Sequence, residues 1–466
     1  MNKPAFHILT LALIVLVSSC STIQDTAISA VVDAIDVAEL VSKEARQDSS
    51  ESAADANRAK PRVTYHDDIF RYTIDTDFER ETYDKSDNVQ ILIVMNSVNG
   101  QYPVRYDVDC EGDGEFEYKD LTENHKCIYQ KDSGKHQIWL RGEIPAIILC
   151  SRRHAVDQCG PNLPKKYRSE LCDLPLVYDH SGKAIVSIDS WGNISWKSMY
   201  RFAASCEALQ DLPKDSPDLS QVRDMSEMFA GTWFNQPIES WDVSNVTNMS
   251  GMFDLARFDQ PLEKWDVSNV TDMSWMFSYA SFNQPLEKWD VSNVTNMSGM
   301  FSGTTLFNQP LEKWDVSNVT NMSSMFAVAD YNQPLEKWDV SKVTNMRRMF
   351  HWNKWFNKPL EAWNVSNVTN MQDMFSQATE FNQPLEKWDV SKVTNMRRMF
   401  YQATKFNQPL DKWDVSSVTN MRKMFAGAIK FSYYPESWVI PADKSRDIFL
   451  DTKVEVEFRI SPLKTK

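Results

Sequence analysis

Phe234-Asn-Gln-Pro-Ile-Glu-Ser-Trp241-Asp-Val-Ser-Asn-Val-Thr-Asn-Met249-Ser-Gly-Met252-Phe253 is the stretch whose reading decides the fold. Its tryptophan returns at Trp265, Trp289, Trp314, Trp338, Trp363, Trp388 and Trp413, with a degenerate copy at Trp438, in steps of 24 or 25 residues. A fixed period of this size marks a solenoid, in which each repeat buries its apolar face against the next. Within one copy, Trp241 and Val243 alternate with Asp242, as in a short strand with one buried face. Ser244-Asn245 supplies helix-capping side chains. Val246, Met249, Met252, Phe253 and Ala256 follow at steps of 3, 3, 1 and 3, one face of a short helix. Phe258 and the Asp259-Gln260-Pro261 turn lead back to the next strand, because proline blocks helix continuation. The expected unit is a strand, a turn, a short helix and a return loop.

The words Trp-Asp-Val-Ser-Asn-Val-Thr-Asn-Met and Met-Phe resemble the repeat of bacterial surface lipoproteins of the BspA-like and Mycoplasma lipoprotein-associated kind. The resemblance implies an α/β repeat fold, a right-handed leucine-rich-repeat-like solenoid with a short strand and a short helix per repeat. It also implies a cell-surface location and a binding or adhesion role, with no catalytic residues.

The chain has 466 residues, 42% hydrophobic and 12% aromatic, with a net charge of −14. That size accommodates two or three domains, and the acidity argues against a nucleic-acid partner. Residues 1–19 read as a signal peptide: Lys3 in the n-region and a short apolar run from Ile8 to Val17. Val17-Ser18-Ser19-Cys20 resembles a lipobox, which implies lipid on Cys20, and Ser21 resembles the outer-membrane sorting choice for a Gram-negative host. Residues 20–60 are rich in Ala, Ser, Asp and Glu and read as a tether. Anchoring through lipid makes the membrane the first expected partner.

Residues 61–148 change character. Val89–Met95, Tyr102–Val108 and His136–Leu140 read as strands separated by glycine turns, an all-β sandwich by pattern. Tyr106-Asp-Val-Asp-Cys-Glu-Gly-Asp-Gly114 resembles the PKD-like immunoglobulin-like domain, which implies such a sandwich ahead of the repeats. Asp109, Glu111, Asp113, Glu117 and Asp120 also match calcium-loop spacing, with Gly114 at the tight turn. A solvated acidic hairpin accounts for the same residues. Apart from Cys20, six cysteines remain in an exported chain, so disulfides are expected. Cys110–Cys127 would brace the acidic hairpin, and the pairing among Cys150, Cys159, Cys172 and Cys206 stays open. A zinc site using His154 or His180 is the weaker alternative. Residues 149–184 form a loop-rich junction, 185–440 the repeat block with its cap, and 441–466 a final strand and tail, where Val454, Val456, Phe458 and Ile460 alternate with charges.

On the repeat surface, Lys264/Asp266, Lys288/Asp290 and their later counterparts suggest a charge-balanced outer strand face, and Ala362/Asn364 lose both charges together. The copies differ most between the two methionines. Early copies carry Ser-Gly, Ser-Trp or Ser-Ser; later ones carry Arg347-Arg348, Gln372-Asp373, Arg397-Arg398 and Arg422-Lys423. This basic ridge, with His351, Trp352 and Trp355 beside it, suits an acidic protein or glycan. A plain solvated face is the competing explanation. The methionine columns read as core filler rather than metal ligands. Together these features point to a lipid-anchored surface protein that binds a partner, with a structural coat component as the alternative. No nucleophile–base set stands outside the repeats, so no enzyme and no obligate cofactor is expected.

Overall fold

The computed structural model describes residues 68–77, 88–98, 100–130, 133–150, 181–435, 437–438 and 448–454. The expected signal peptide, Cys20 and the tether lie outside the described residues, as do Cys159, Cys172, His154, His180 and nearly all of the expected final strand. Everything below belongs to the compact unit Tyr65–Lys466.

Among the described residues, eight strands precede or enter the repeats. They are β1 (Phe70–Asp75), β2 (Asn88–Met95), β3 (Arg105–Asp109), β4 (Tyr118–Leu121), β5 (His125–Gln130), β6 (Lys135–Glu143), β7 (Ile147–Ile148) and β8 (Ile185–Ser190). A four-residue helical turn, α1 (Ser181–Ala184), leads into β8. The strands form a five-stranded sheet in the order β4-β3-β6-β1-β8 and a three-stranded sheet in the order β5-β2-β7. Period-two burial explains the pairing: Phe70, Tyr72 and Ile74 of β1 face the same interior as Ile138 and Leu140 of β6 and Val89, Ile91 and Ile93 of β2. β8 pairs antiparallel with β1, yet it also meets the first repeat, where the Ile188 N–H donates to the Asp211 carbonyl at 2.9 Å. The Cys150–Cys206 disulfide and the Leu149 N–H, bonded to the Phe202 carbonyl at 2.9 Å, fasten the sheets to the leader of the repeat block.

Each repeat lies directly on the next, but its backbone is neither strand nor helix. The N–H groups of Met249, Gly251, Phe253 and Leu255 donate to the carbonyls of Asp272, Ser274, Met276 and Ser278 of the following repeat at 2.7–2.9 Å. The N–H groups between them close three-residue turns: Met252 on Met249, Asp254 on Gly251 and Ala256 on Phe253, at 3.0–3.2 Å. Gly251 and Leu255 have φ of 61° and 59°, and the same two positions are left-handed in every later repeat. The expected α/β leucine-rich-repeat-like solenoid, with a strand and a helix per repeat, is therefore corrected. Among the described residues no repeat contains a helix, and the architecture is all-β in character. A helix sends each N–H four residues back along its own chain, whereas here alternate N–H groups leave for the neighbouring repeat. The spacing of Met249, Met252, Phe253 and Ala256 misled because consecutive turns closing every three residues bring the same positions inward.

The expected strand at Trp-Asp-Val fails for a local reason. The Asp242 carboxylate accepts the Ser244 N–H at 3.1 Å and the Ser244 hydroxyl at 2.6 Å, so the chain turns immediately. What remains of strand pairing is one parallel bridge per repeat, running Asp224–Asn248–Asp272–Asn296 and on to Asn420.

Side chains complete the adhesion between repeats. Phe229, Phe253, Phe277 and their successors to Phe449 form a ladder of offset rings 5.4–6.0 Å apart. Each indole N–H from Trp265 to Trp413 donates to a leucine or isoleucine carbonyl of the preceding repeat at 2.9–3.0 Å. From Trp265 to Trp413 each buried indole donor thus finds a partner, whereas that of the degenerate copy, Trp438, has none among the described residues. At the far end, the Phe425 and Gly427 N–H groups donate to the carbonyls of Ile448 and Leu450, so residues 448–454 close the stack as one more turn.

Candidate functional site

The invariant words of the repeat are spent on holding neighbours together, so the variable positions mark the candidate site. Thr271, Thr295 and their successors donate hydroxyls to the threonine carbonyl one repeat back. Asp259, Asn283, Asn308 and the later asparagines accept the backbone N–H of the same position one repeat on. The lysines do not balance the Asp column as expected. Lys264, Lys288, Lys313, Lys337, Lys387 and Lys412 instead pair with the glutamate of the preceding repeat at 2.8–3.3 Å, while the aspartates hold their own turns. Period-two strand geometry had placed Lys beside Asp; without a strand, the Lys reaches back across the stack. Ala362 removes the lysine that would meet Glu336, and that glutamate is exposed.

Variation concentrates on the turns that follow each inner methionine. The two left-handed positions of each turn segment form two columns along one edge of the stack: Gly251, Trp275, Gly299, Ser324, Arg348, Asp373, Arg398 and Lys423 in one, Leu255, Tyr279, Gly303, Val328, Trp352, Gln377, Gln402 and Gly427 in the other. Side chains here lean onto the next repeat. A Cβ added at Gly299 would meet the Trp275 ring at 2.4 Å, one at Gly303 the Tyr279 ring at 2.4 Å, and one at Gly427 the Gln402 side chain at 2.8 Å.

The basic ridge occupies the C-terminal half of this edge. Arg347, Arg348, Arg397, Arg398 and Lys423 are half-buried, and Arg422 is exposed. The structure brings these groups together: burial lowers the Arg347 pKa, and so do the charges of Arg348 and Arg397. One carboxylate sits among them. Asp373 is buried, lies 3.7 Å from Arg348 Nε and accepts the Gln372 amide at 2.8 Å. The sequence shows this residue as a break in the basic pattern; its role as counter-ion emerges only from the sideways lean. Arg398 lies over the Tyr401 ring at 5.3 Å. His351 is held neutral, its pKa pushed down to about 3 by burial and then by Arg348, with smaller contributions from Arg398 and Arg347 against a Ser376 backbone bond. Trp352 is half-buried with φ of 57°, its ring edge-on to His351 at 6.3 Å, and Trp355 is 55% exposed.

The acidic turn of the sheet unit brings together three of the five acids at calcium-loop spacing. Asp109 is buried; its Oδ1 accepts the N–H groups of Glu111 and Gly112, and its Oδ2 accepts that of Gly114 at 2.8 Å. Glu117 accepts the Cys110 N–H at 3.1 Å. Of the five spaced acids, Asp109, Asp113 and Glu117 come within 4.8 Å of one another. Glu111 lies outside that group, and Asp120 pairs with Arg105 at 2.7 Å. Three backbone donors already engage the central carboxylate, so the turn's shape follows from its own hydrogen bonds. Burial raises the Asp109 pKa, opposed by those backbone bonds. The Cys110–Cys127 disulfide ties the end of β3 to β5.

The family described as "Mycoplasma protein of unknown function, DUF285" matches residues 195–286, 255–335 and 327–438, which together span more than half of the chain. No curated protein and no solved structure matches it.

Proposed function

We propose, from the premise that this chain belongs to the family described as Mycoplasma protein of unknown function, DUF285, that it is a binding protein of the cell surface, held by lipid on Cys20, whose repeat stack captures an acidic protein or glycan along the ridge. The observation that carries the reading is the ridge itself. Arg347, Arg348, Arg397, Arg398, Arg422 and Lys423 share one edge of a chain of net charge −14, with Asp373 as the carboxylate paired among them. Crowded, half-desolvated cations gain more from an incoming anion than solvated ones, because charge-assisted bonds strengthen as water is excluded. Trp352 and Trp355 border the ridge with apolar contact area of the kind that anchors interfaces.

The test is binding of the full chain to heparin and to acidic surface or matrix proteins, with Arg397→Glu, Arg398→Glu, Arg422→Glu and Lys423→Glu combined in one variant. Salt-sensitive binding that the variant loses supports the ridge. Binding retained by the variant moves the site elsewhere. No binding at all favours a structural surface component, the ridge then being a solvated face. Labelling with radioactive palmitate, abolished by Cys20→Ala, tests the anchor separately.

A further inference from the structure

The N-terminal half of the variable edge carries a feature that the ridge reading leaves unused. In one repeat both left-handed positions are aromatic, Trp275 with φ of 58° and Tyr279 with φ of 50°. In the next repeat both are glycine, Gly299 and Gly303. A Cβ on Gly299 would lie 2.4–2.6 Å from three adjacent atoms of the Trp275 ring, and one on Gly303 would lie 2.4–2.7 Å from three adjacent atoms of the Tyr279 ring. Each ring therefore lies across a bare glycine backbone, seated and fixed. Trp275 nevertheless keeps 43% of its surface exposed.

A bulky side chain in the left-handed region costs roughly 1–2 kcal/mol relative to the right-handed one. Most other repeats meet the same cost with a non-glycine residue at one or both positions; what sets this repeat apart is that both are aromatic and face a glycine pair. The border of the rings is polar. Asp254 lies beside Tyr279 and takes a hydrogen bond from Ser278, and burial, then Glu227, pushes its carboxyl up to about 7 against that bond. Arg201 pairs with Glu227 at 3.3 Å.

We propose that Trp275 and Tyr279 form a stacking platform for the sugar rings of a neutral oligosaccharide, whose hydroxyls donate to Asp254. The Trp275 ring, seated on one side and exposed over 43% of its surface, suits the C–H face of a pyranose, with the half-buried Tyr279 four residues on along the same edge. An apolar peptide anchor needs a pocket, and the glycine hollows that would form one are filled by the rings themselves. An anionic ligand would meet Asp254 and Glu227. The site is distinct in chemistry and position from the basic ridge, so each stands or falls separately.

The experiment titrates the full chain with cellohexaose, maltohexaose and chitohexaose, at low and high salt, alongside Trp275→Gly and Tyr279→Gly. Glycine suits a positive φ, which offsets part of the packing lost with each ring, so both variants should fold cooperatively with a lowered melting temperature, checked by circular dichroism before each titration. The expected result is saturable binding of at least one hexasaccharide, insensitive to salt and weakened tenfold or more in each variant. Absence of binding to all three sugars overturns the proposal. So does binding that either folded variant keeps at full strength, or binding that high salt removes. Because the ridge is assayed by salt-sensitive heparin capture, failure there leaves this result readable.

Discussion

Gly303→Ala puts the turn architecture to a quantitative test. Gly303 has φ of +72°, and a Cβ there would sit 2.4 Å from Tyr279 Cδ1 and 2.7 Å from its Cγ. Gly231 occupies the same column with φ of +67°, but its nearest neighbour would be the Ser205 hydroxyl at 3.7 Å. Both substitutions pay the left-handed strain of alanine, roughly 1–2 kcal/mol. Both recover about 0.5–1 kcal/mol by losing glycine's freedom in the unfolded chain. Gly231→Ala should therefore destabilise by about 0.5–1 kcal/mol. Gly303→Ala must also displace a ring near its attachment point, which adds about 1–3 kcal/mol of overpacking. Urea unfolding followed by far-UV circular dichroism reads the difference as a lower midpoint at unchanged slope. With the ring already removed, adding Gly303→Ala to Tyr279→Gly should cost only about as much as Gly231→Ala. In a helix, glycine to alanine would instead stabilise by about 0.8–1 kcal/mol. A stabilised Gly303→Ala, or one equal to Gly231→Ala, refutes both the left-handed column and the sideways lean of Tyr279.

Three further outcomes follow from named contacts. Asp254→Asn should remove a pH dependence: the unfolded carboxyl ionises near 3.8 and the folded one near 7, so stability falls as pH rises between those values and is flat above. The variant should gain at most about 4 kcal/mol over the parent at pH 8 and little at pH 4, with partial exposure of the side chain reducing the gain; a parent stability that rises across that window would contradict the burial of Asp254. Lys387→Ala should cost less than about 1 kcal/mol, because its pair with Glu361 at 3.0 Å is exposed. Trp388→Phe, one residue on, should cost about 1–3 kcal/mol by leaving the buried Leu360 carbonyl without its donor at 2.9 Å; thermal melts that reverse this order would contradict the indole ladder. Replacing both Cys150 and Cys206 by serine should lower stability by about 4 kcal/mol, since the bond closes a separation of 56 residues; equal denaturation midpoints with and without the bond would remove its bracing role.

Several elements were legible in the chain before any coordinates. Val89–Met95 and His136–Leu140 read as strands and fall within β2 and β6, because a hydrophobic run bounded by turn residues is a local signal. Cys110 with Cys127 was also visible as a pair and is bonded. β1 was missed, since its alternation spans Phe70–Asp75 and depends on partners 60 or more residues away in β6 and about 115 away in β8. The ridge residues were found by comparing copies with one another, and the structure gathers them on one edge. Comparing copies also marks Asp373 and Trp275 as departures but not what they do, because each is defined by a contact with a neighbouring repeat.

The sequence by itself determined the period, the stacking columns and the inward residues: Trp, Val, Met and Phe recur every 24 or 25 positions and are buried in nearly every copy. Burial follows apolar patterning, and patterning is written along one chain. The path of the backbone between those residues was decided only by tertiary structure. Met249, Met252, Phe253 and Ala256 point inward from a helix and from a run of tight turns alike, so periodicity cannot separate the two. What separates them is the destination of the intervening N–H groups, and those of Gly251 and Leu255 end on Ser274 and Ser278 of the neighbouring repeat. A hydrogen bond to another repeat exists only once that repeat is in place beside it.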